Sequence, residues 1–292
     1  MAPQFDRAWT LGAFNIGLVS PLTDLRERLD FFYPDTTIAP ATRFVDFPVA
    51  VGLPRGLRRL IRPQAVFRFG QRAPFHPFPR AQALPLLEWG LNWCIATATP
   101  GYVLIHAAVV ARNDDALILP GLPGSGKSTL AAGLMCAGWR LLSDEFAVIE
   151  PETGLVRPCL KALSLKERAI EILTARAPDA FTGETHDTEK GRVALMRPSA
   201  DSRRAVDRPA SVRWIVSPRF TAGADLELAP CSKGRGFHML ADNAFTYHTL
   251  GEAAFAALCG VVRNARCYRL RHGDLDGVVS ELDRLTAPRE AA

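Results

Sequence analysis

The sequence predicts an α/β fold, on three observations. Strand-like and helix-like segments alternate from about residue 84 to the end. A glycine-rich junction, Gly121 to Ser128, joins an apolar strand-like run to a helix-like one. The 292 residues are 48% hydrophobic and 22% charged, enough apolar material for one large or two modest domains. That balance excludes disordered, collagen-like and coiled-coil classes.

Residues 22–32 carry helical spacing, and Phe44 to Val51 and Ala65 to Phe69 are rich in β-branched and aromatic residues between Pro and Gly. Residues 1–83 are therefore expected to be an N-terminal α+β region, β-rich and packed on the core. Leu84 to Thr97 reads as an apolar helix and Tyr102 to Ala111 as a strand. Asn113-Asp114-Asp115 makes a turn into a second buried strand, Ala116 to Leu119. Ser128 to Ala137 reads as a helix closed by Gly138, and Trp139 to Glu150 as one strand. Leu163 to Arg176 reads as a helix in which Ser164 and Glu167 form a capping box. Thr182 to Arg192 is polar and expected as a loop. The tail reads as strands at 211–217, 226–230 and 267–271, with helices at 247–263 and 275–285. Residues 84–292 are expected to form one domain.

The six cysteines include no Cys-x-x-Cys pair and no zinc-type spacing with histidine, which suits reduced thiols in a cytoplasmic protein. No secretory signal is expected near the N-terminus. Trp89 to Ala111 holds no formal charge and could span a bilayer by length, but Pro100-Gly101 divides it into a helix and a strand. Buried core is the expectation, with no membrane contact. A net charge of +5 suits acidic or phosphorylated ligands without requiring nucleic acid. Only five of the 35 basic residues are lysines: Lys127, Lys161, Lys166, Lys190 and Lys233.

Gly121-Leu-Pro-Gly124-Ser125-Gly126-Lys127-Ser128 fits the phosphate-loop pattern G-x-x-x-x-G-K-[ST] in full, between a strand and a helix. Glycines there let backbone N–H groups surround a phosphate at the helix N-terminus. Lys127 would reach the β- and γ-phosphates and Ser128 would offer its hydroxyl to Mg²⁺, with Thr129 next in the loop. ATP and Mg²⁺ are the expected ligands. No Asn-Lys-x-Asp base-reading element of a Ras-like GTPase occurs. An acidic pair, Asp144-Glu145, ends the run after the loop's helix, where a neighbouring strand would carry both carboxylates toward the γ-phosphate and its metal. His106 lies on the preceding strand. Such a lone histidine is ordinarily a core residue, but here it could also hydrogen-bond an acid beside the reacting hydroxyl, as a base with Asp144 as its orienting partner.

His106, the hairpin, GLPGSGKS and the acidic pair together resemble the HPr serine kinase/phosphorylase superfamily, itself related to ATP-dependent phosphoenolpyruvate carboxykinase. The segments LEWGLNWCIA, HAAVV, GLPGSGKSTLAAGL, GWRLLSDEFAVIE, LSLKERAIEIL and EKGRVAL resemble most closely the branch called HPr kinase-related kinase A. The resemblance implies a P-loop kinase core, a mixed sheet flanked by helices, and transfer of a phosphoryl group to a serine hydroxyl of a protein or peptide. It also implies that Lys127 and Ser128 hold phosphate and Mg²⁺. Asp144 matches the proposed general base and His106 the histidine beside it. Glu145 stands where the HPr kinases carry a second aspartate and is a candidate metal ligand. The Leu-Glu-Ile-Arg-Gly-Leu-Gly signature of those kinases is absent, so neither HPr as substrate nor the phosphorylase reaction is implied. Lys166 and Lys190 are candidates to neutralise the transferring phosphoryl group. A nucleotide-binding regulatory ATPase and a small-metabolite kinase are the alternative functions.

From Phe47 to Leu87 there is no acidic residue, yet Arg55, Arg58, Arg59, Arg62, Arg68, Arg72 and Arg80 interleave with phenylalanines. The alternation Phe67-Arg68-Phe69 favours a half-buried strand with a solvated arginine face over a single-stranded nucleic-acid platform. That face is a candidate dock for an acidic acceptor. A homo-oligomer is compatible with the sequence.

Overall fold

A computed structural model describes residues 4–38, 44–54, 62–188 and 191–287. They form an α/β protein of mixed sheets flanked by helices. The first sheet has the order β1(Arg7–Thr10), β2(Asn15–Val19), β3(Phe47–Gly52), β4(Gln64–Phe69) and β5(Phe78–Pro79), with β2 and β3 parallel. Helix α1(Thr23–Phe32) follows β2, and α2(Ala83–Ala98) packs across β4 and β3. As the alternation predicts, Phe67 is fully buried while Arg68 is exposed. Gly90 permits the close approach of α2, because a Cβ there would stand 2.3 Å from the Phe67 ring. The core beneath this sheet continues through α2 to Leu104, Phe146, Val148 and Cys159, so the N-terminal region and the rest of the chain share buried side chains.

The second sheet contains β6(Val103–Arg112), β7(Asp115–Pro120), β8(Arg140–Ser143), β9(Phe146–Ile149), β10(Leu155–Arg157), β14(Ala210–Phe220), β15(Glu227–Pro230) and β16(Arg266–His272). Its order is β10-β9-β6-β7-β14-β16-β15, with β8 also pairing β6. β7, β14 and β16 run parallel; β6 and β15 run antiparallel to their neighbours. β6 and β7 are buried on both faces, which explains their near-continuous apolar sequence. Ala108, Val110, Leu117 and Leu119 face α3(Lys127–Cys136), α4(Arg168–Arg176) and α9(Leu275–Thr286). The alternate residues Val109, Ala111, Ala116 and Ile118 face α6(Lys233–Ala241) and α8(Glu252–Asn264). A small third sheet has the order β11(Leu163–Lys166), β13(Gly191–Met196), β12(His186–Thr188). Short helices α5(Ala200–Arg204) and α7(Tyr247–Leu250) complete the chain.

Several expectations are corrected. The single strand over 139–150 is two, β8 and β9, broken at Asp144-Glu145. The capping box is absent: Ser164 lies in β11, and Glu167 has φ 47° and accepts a hydrogen bond from the Arg192 amide at 2.8 Å. Its carboxylate is thus committed to β13 and cannot return to a helix N-terminus. Much of the polar loop expected over 182–192 is the β12–β13 hairpin, whose polar residues occupy an exposed edge. The helix over 247–263 divides at Gly251, where φ is 54°. Helix α6 was not expected, because its glycines obscure the apolar period.

Lys233 folds back from α6 so that its ammonium donates to the carbonyls of Val262, Arg263 and Ala265, at 3.0, 3.0 and 2.5 Å. It closes the C-terminus of α8, where a cation meets the negative end of the helix dipole. Among the described residues no helix is long and apolar enough to cross a membrane.

Candidate functional site around the glycine-rich loop

The loop begins where β7 ends, and its three glycines have positive φ: 159° at Gly121, 84° at Gly124 and 93° at Gly126. At Gly121 the chain is nearly extended, so the requirement falls on Gly124 and Gly126. A Cβ at Gly126 would also stand 3.1 Å from the Phe220 Cβ. Gly126 is the N-cap of α3, and no side chain caps that end. The first amides of α3 are therefore left to an outside acceptor. Ser125 Oγ is buried with no partner, and open space surrounds Gly124. An uncapped helix, an orphaned hydroxyl and an open glycine make a concavity of donors that fits a phosphate chain.

Lys127 is 6% exposed, and its ammonium donates to the loop's own carbonyls, Gly121 O at 2.5 Å and Leu122 O at 3.0 Å. Burial lowers its pKa, and Glu145 acts in the opposite direction. The lysine thus lies across the loop with one carboxylate for compensation.

The acidic pair occupies the break between β8 and β9. Ser143 Oγ accepts from the amides of Glu145 and Phe146, at 3.2 and 3.0 Å, and the Ala107 amide donates to Glu145 O at 3.2 Å. The register against β6 is the same on both sides of this break, His106 opposite Phe146 and Val109 opposite Ser143, and it shifts only beyond it, between Ser143 and Leu141. His106 lies on β6 opposite Phe146. Its Nδ1 stands 3.5 Å from Glu145 Oε1 and makes no hydrogen bond. Burial lowers the imidazole pKa, Glu145 raises it and Lys127 lowers it further. The partner of His106 is thus Glu145, where the sequence reading paired it with Asp144. The two adjacent carboxylates face different partners, Glu145 the His106 ring and Asp144 the Ser164 amide.

Asp144 is 4% exposed and accepts a hydrogen bond from the Ser164 amide at 3.2 Å. Burial, then the charge of Glu145, pushes its carboxyl up to about 7, against the pull of Lys161 and the Ser164 amide. Behind it lies a buried network that spacing could not reveal. Lys161 donates to Glu88 Oε2 at 3.1 Å, the Tyr33 hydroxyl donates to Glu88 Oε1 at 2.7 Å, and the Ala162 amide donates to Tyr33 Oη at 2.9 Å. Burial alone would lower the Lys161 pKa, but Glu88 and Asp144 outweigh it and hold the ammonium charged. Tyr33 and Glu88 come from α1's end and α2, so the network ties the N-terminal region to the segment entering β11, whose Ser164 amide donates to Asp144.

The structure brings Lys127, Glu145 and His106 together beside the loop and sets Asp144 behind them. Ser128 and Thr129 open α3 and are half-buried. Lys166 ends β11 and is exposed, and among the described residues it makes no hydrogen bond or ion pair with this group. Lys190, Arg55, Arg58 and Arg59 lie outside the described residues, whereas Arg62, Arg68 and Arg72 are exposed and Arg80 pairs with Asp24 at 3.1 Å. Among the described residues no group of three or more His, Cys, Asp or Glu could hold a metal by itself. A Mg²⁺ held by one hydroxyl, one carboxylate and phosphate oxygens needs no such group. Phe245, 51% exposed, stands 6.2 Å from the His106 ring and 5.7 Å from Phe146. Asn243 O accepts from the His106 amide at 2.8 Å, which fixes this segment along β6. No family model matches the chain, and no curated protein matches it either.

Proposed function

We propose that this protein is an ATP-dependent kinase of the HPr serine kinase type, closest to the HPr kinase-related kinase A branch. It transfers the γ-phosphoryl group to a serine hydroxyl of a protein or peptide. The observation that carries this reading is the convergence of Lys127, Glu145 and His106 on a glycine loop whose helix is uncapped and whose Ser125 hydroxyl has no partner.

In this reading the loop amides and Lys127 hold the β- and γ-phosphates, the ammonium exchanging its loop carbonyls for phosphate oxygens. Ser128 and Glu145 would hold Mg²⁺, which when bound would supply charge neutralisation for the transferring group. The two carboxylates divide the work by environment. Glu145, beside Lys127, serves as the ligand. Asp144, raised to about 7, takes the proton of the serine hydroxyl, directly or over one water. The serine oxygen bonds to the γ-phosphorus, the bond to the β,γ-bridging oxygen breaks, and ADP leaves with its electron pair. His106 supports Glu145 from β6. Phe245 borders the acceptor side of the same pair.

MgATP should raise the melting temperature of the wild-type chain by several degrees at a hundredfold excess over Kd, where linkage is worth about 2.7 kcal/mol. Lys127→Ala should lose most of that shift. Equal shifts in the two proteins would refute the role of the loop.

A further inference from the structure

We infer that Phe220, backed by His272, is the platform on which the nucleotide's base stacks, so that the β14–β16 side of the loop is its nucleoside end. This rests on the phosphate-loop reading above. β7 delivers the loop between two neighbours, β6 on one side and β14 on the other. The β6 side carries His106, and through the β8–β9 break it carries Glu145, a carboxylate whose charge acts on Lys127. A triphosphate with its γ end against those groups leaves the loop toward the opposite side, where β14 ends.

What stands there is an aromatic ring with no core to fill. Phe220 is 46% exposed, yet it is fixed in place. Its amide donates to Ser125 O within the loop at 3.1 Å, and its ring meets the His272 ring edge-on, with centroids 5.7 Å apart and planes at 66°. The Thr221 amide donates to His272 O at 2.9 Å, so the two residues are also joined by backbone. An exposed phenylalanine held by the loop and by a second ring has one open face, the requirement of a stacking platform.

His272 supplies the second observation. It is 4% exposed, its Nδ1 lies 3.3 Å from Asp274 O, and its Nε2 is buried without a partner. That nitrogen stands 3.9 Å from where a Cβ on Gly126 would be, directly under the start of α3. Burial lowers the ring's pKa, so it is neutral near pH 7, and with Nδ1–H toward Asp274 O the free Nε2 is an acceptor. A ribose hydroxyl, or the exocyclic amine of the base, could donate to it. A phosphate oxygen could not.

The test is titration calorimetry of the full chain with MgATP and with Mg-tripolyphosphate, which carries the phosphates and no nucleoside. Phe220→Ala should weaken MgATP about tenfold and leave tripolyphosphate unchanged, while Phe220→Trp keeps wild-type affinity for both. The exposed position makes both variants compatible with folding. Unchanged MgATP affinity in Phe220→Ala would overturn the inference. So would an equal loss for the two probes, which would mean that Phe220 merely supports the loop. A wild-type chain that binds neither probe would overturn the phosphate-loop reading, and this inference with it.

Discussion

Asp144→Asn should lower phosphoryl transfer about 10²–10⁴-fold while leaving MgATP affinity within a few-fold of wild type. The substitution keeps the shape and an acceptor for the Ser164 amide, and it removes only the capacity to take a proton. A carboxyl raised to about 7 is protonated in acid, so transfer by the wild-type chain should rise with pH through about 7 and level off above it. The same group gives a stability effect of fixed sign. Its folded-state pKa lies above the ordinary aspartate value of 3.8, so ionisation opposes folding. The contribution is intact in acid and is lost as pH climbs through about 7, on the order of 4 kcal/mol at about 1.4 kcal/mol per pKa unit. Asp144→Asn should therefore be more stable than wild type at pH 8 and show no such gain at pH 4. Urea unfolding at both values measures it. Transfer surviving in Asp144→Asn would move the base elsewhere, with Glu145 and His106 the nearest groups.

Lys161→Met should destabilise the fold by roughly 3–5 kcal/mol, the cost of leaving a buried charge unpaired. Glu88 would then keep only the Tyr33 hydroxyl, in a site where Lys161, Glu88 and Tyr33 are all at most 3% exposed. At about 2–4 °C per kcal/mol, the melting temperature should fall by roughly 6–20 °C. The double variant Glu88→Gln, Lys161→Met should recover much of the loss, because no unpaired charge remains. Equal damage in the single and double variants would show that packing, and not the ion pair, is at stake. Because the pair joins α2 to the strand beside Asp144, the single variant should also alter the pH at which transfer half-rises, a change that loss of packing elsewhere would not produce.

How much of this was legible in the sequence depends on whether the signal was local. The loop could be found because its glycines, lysine and serine are fixed by backbone angles and phosphate geometry at contiguous positions. β6 and β7 could be found because a strand buried on both faces is apolar throughout. The break between β8 and β9 could not, since Ser143 Oγ, accepting from two amides, bends the chain inside what reads as an unbroken strand. The capping box failed at Glu167 because a residue in another strand, Arg192, offers the amide that its carboxylate takes. The lysine shortage was informative, but only three-dimensional proximity explains Lys161 and Lys233, one buried against Glu88 and the other closing a helix. Nothing in the sequence marks Phe220 or Phe245 until the loop and His106 are placed beside them.

The most direct test of the central claim is incubation of the chain with γ-labelled ATP, Mg²⁺ and cell extract, followed by mass spectrometry of whatever carries the label. The account predicts phosphoserine on one or a few polypeptides with the wild-type protein, and none with Lys127→Ala or Asp144→Asn. Label found only in free phosphate or in a small metabolite would contradict it.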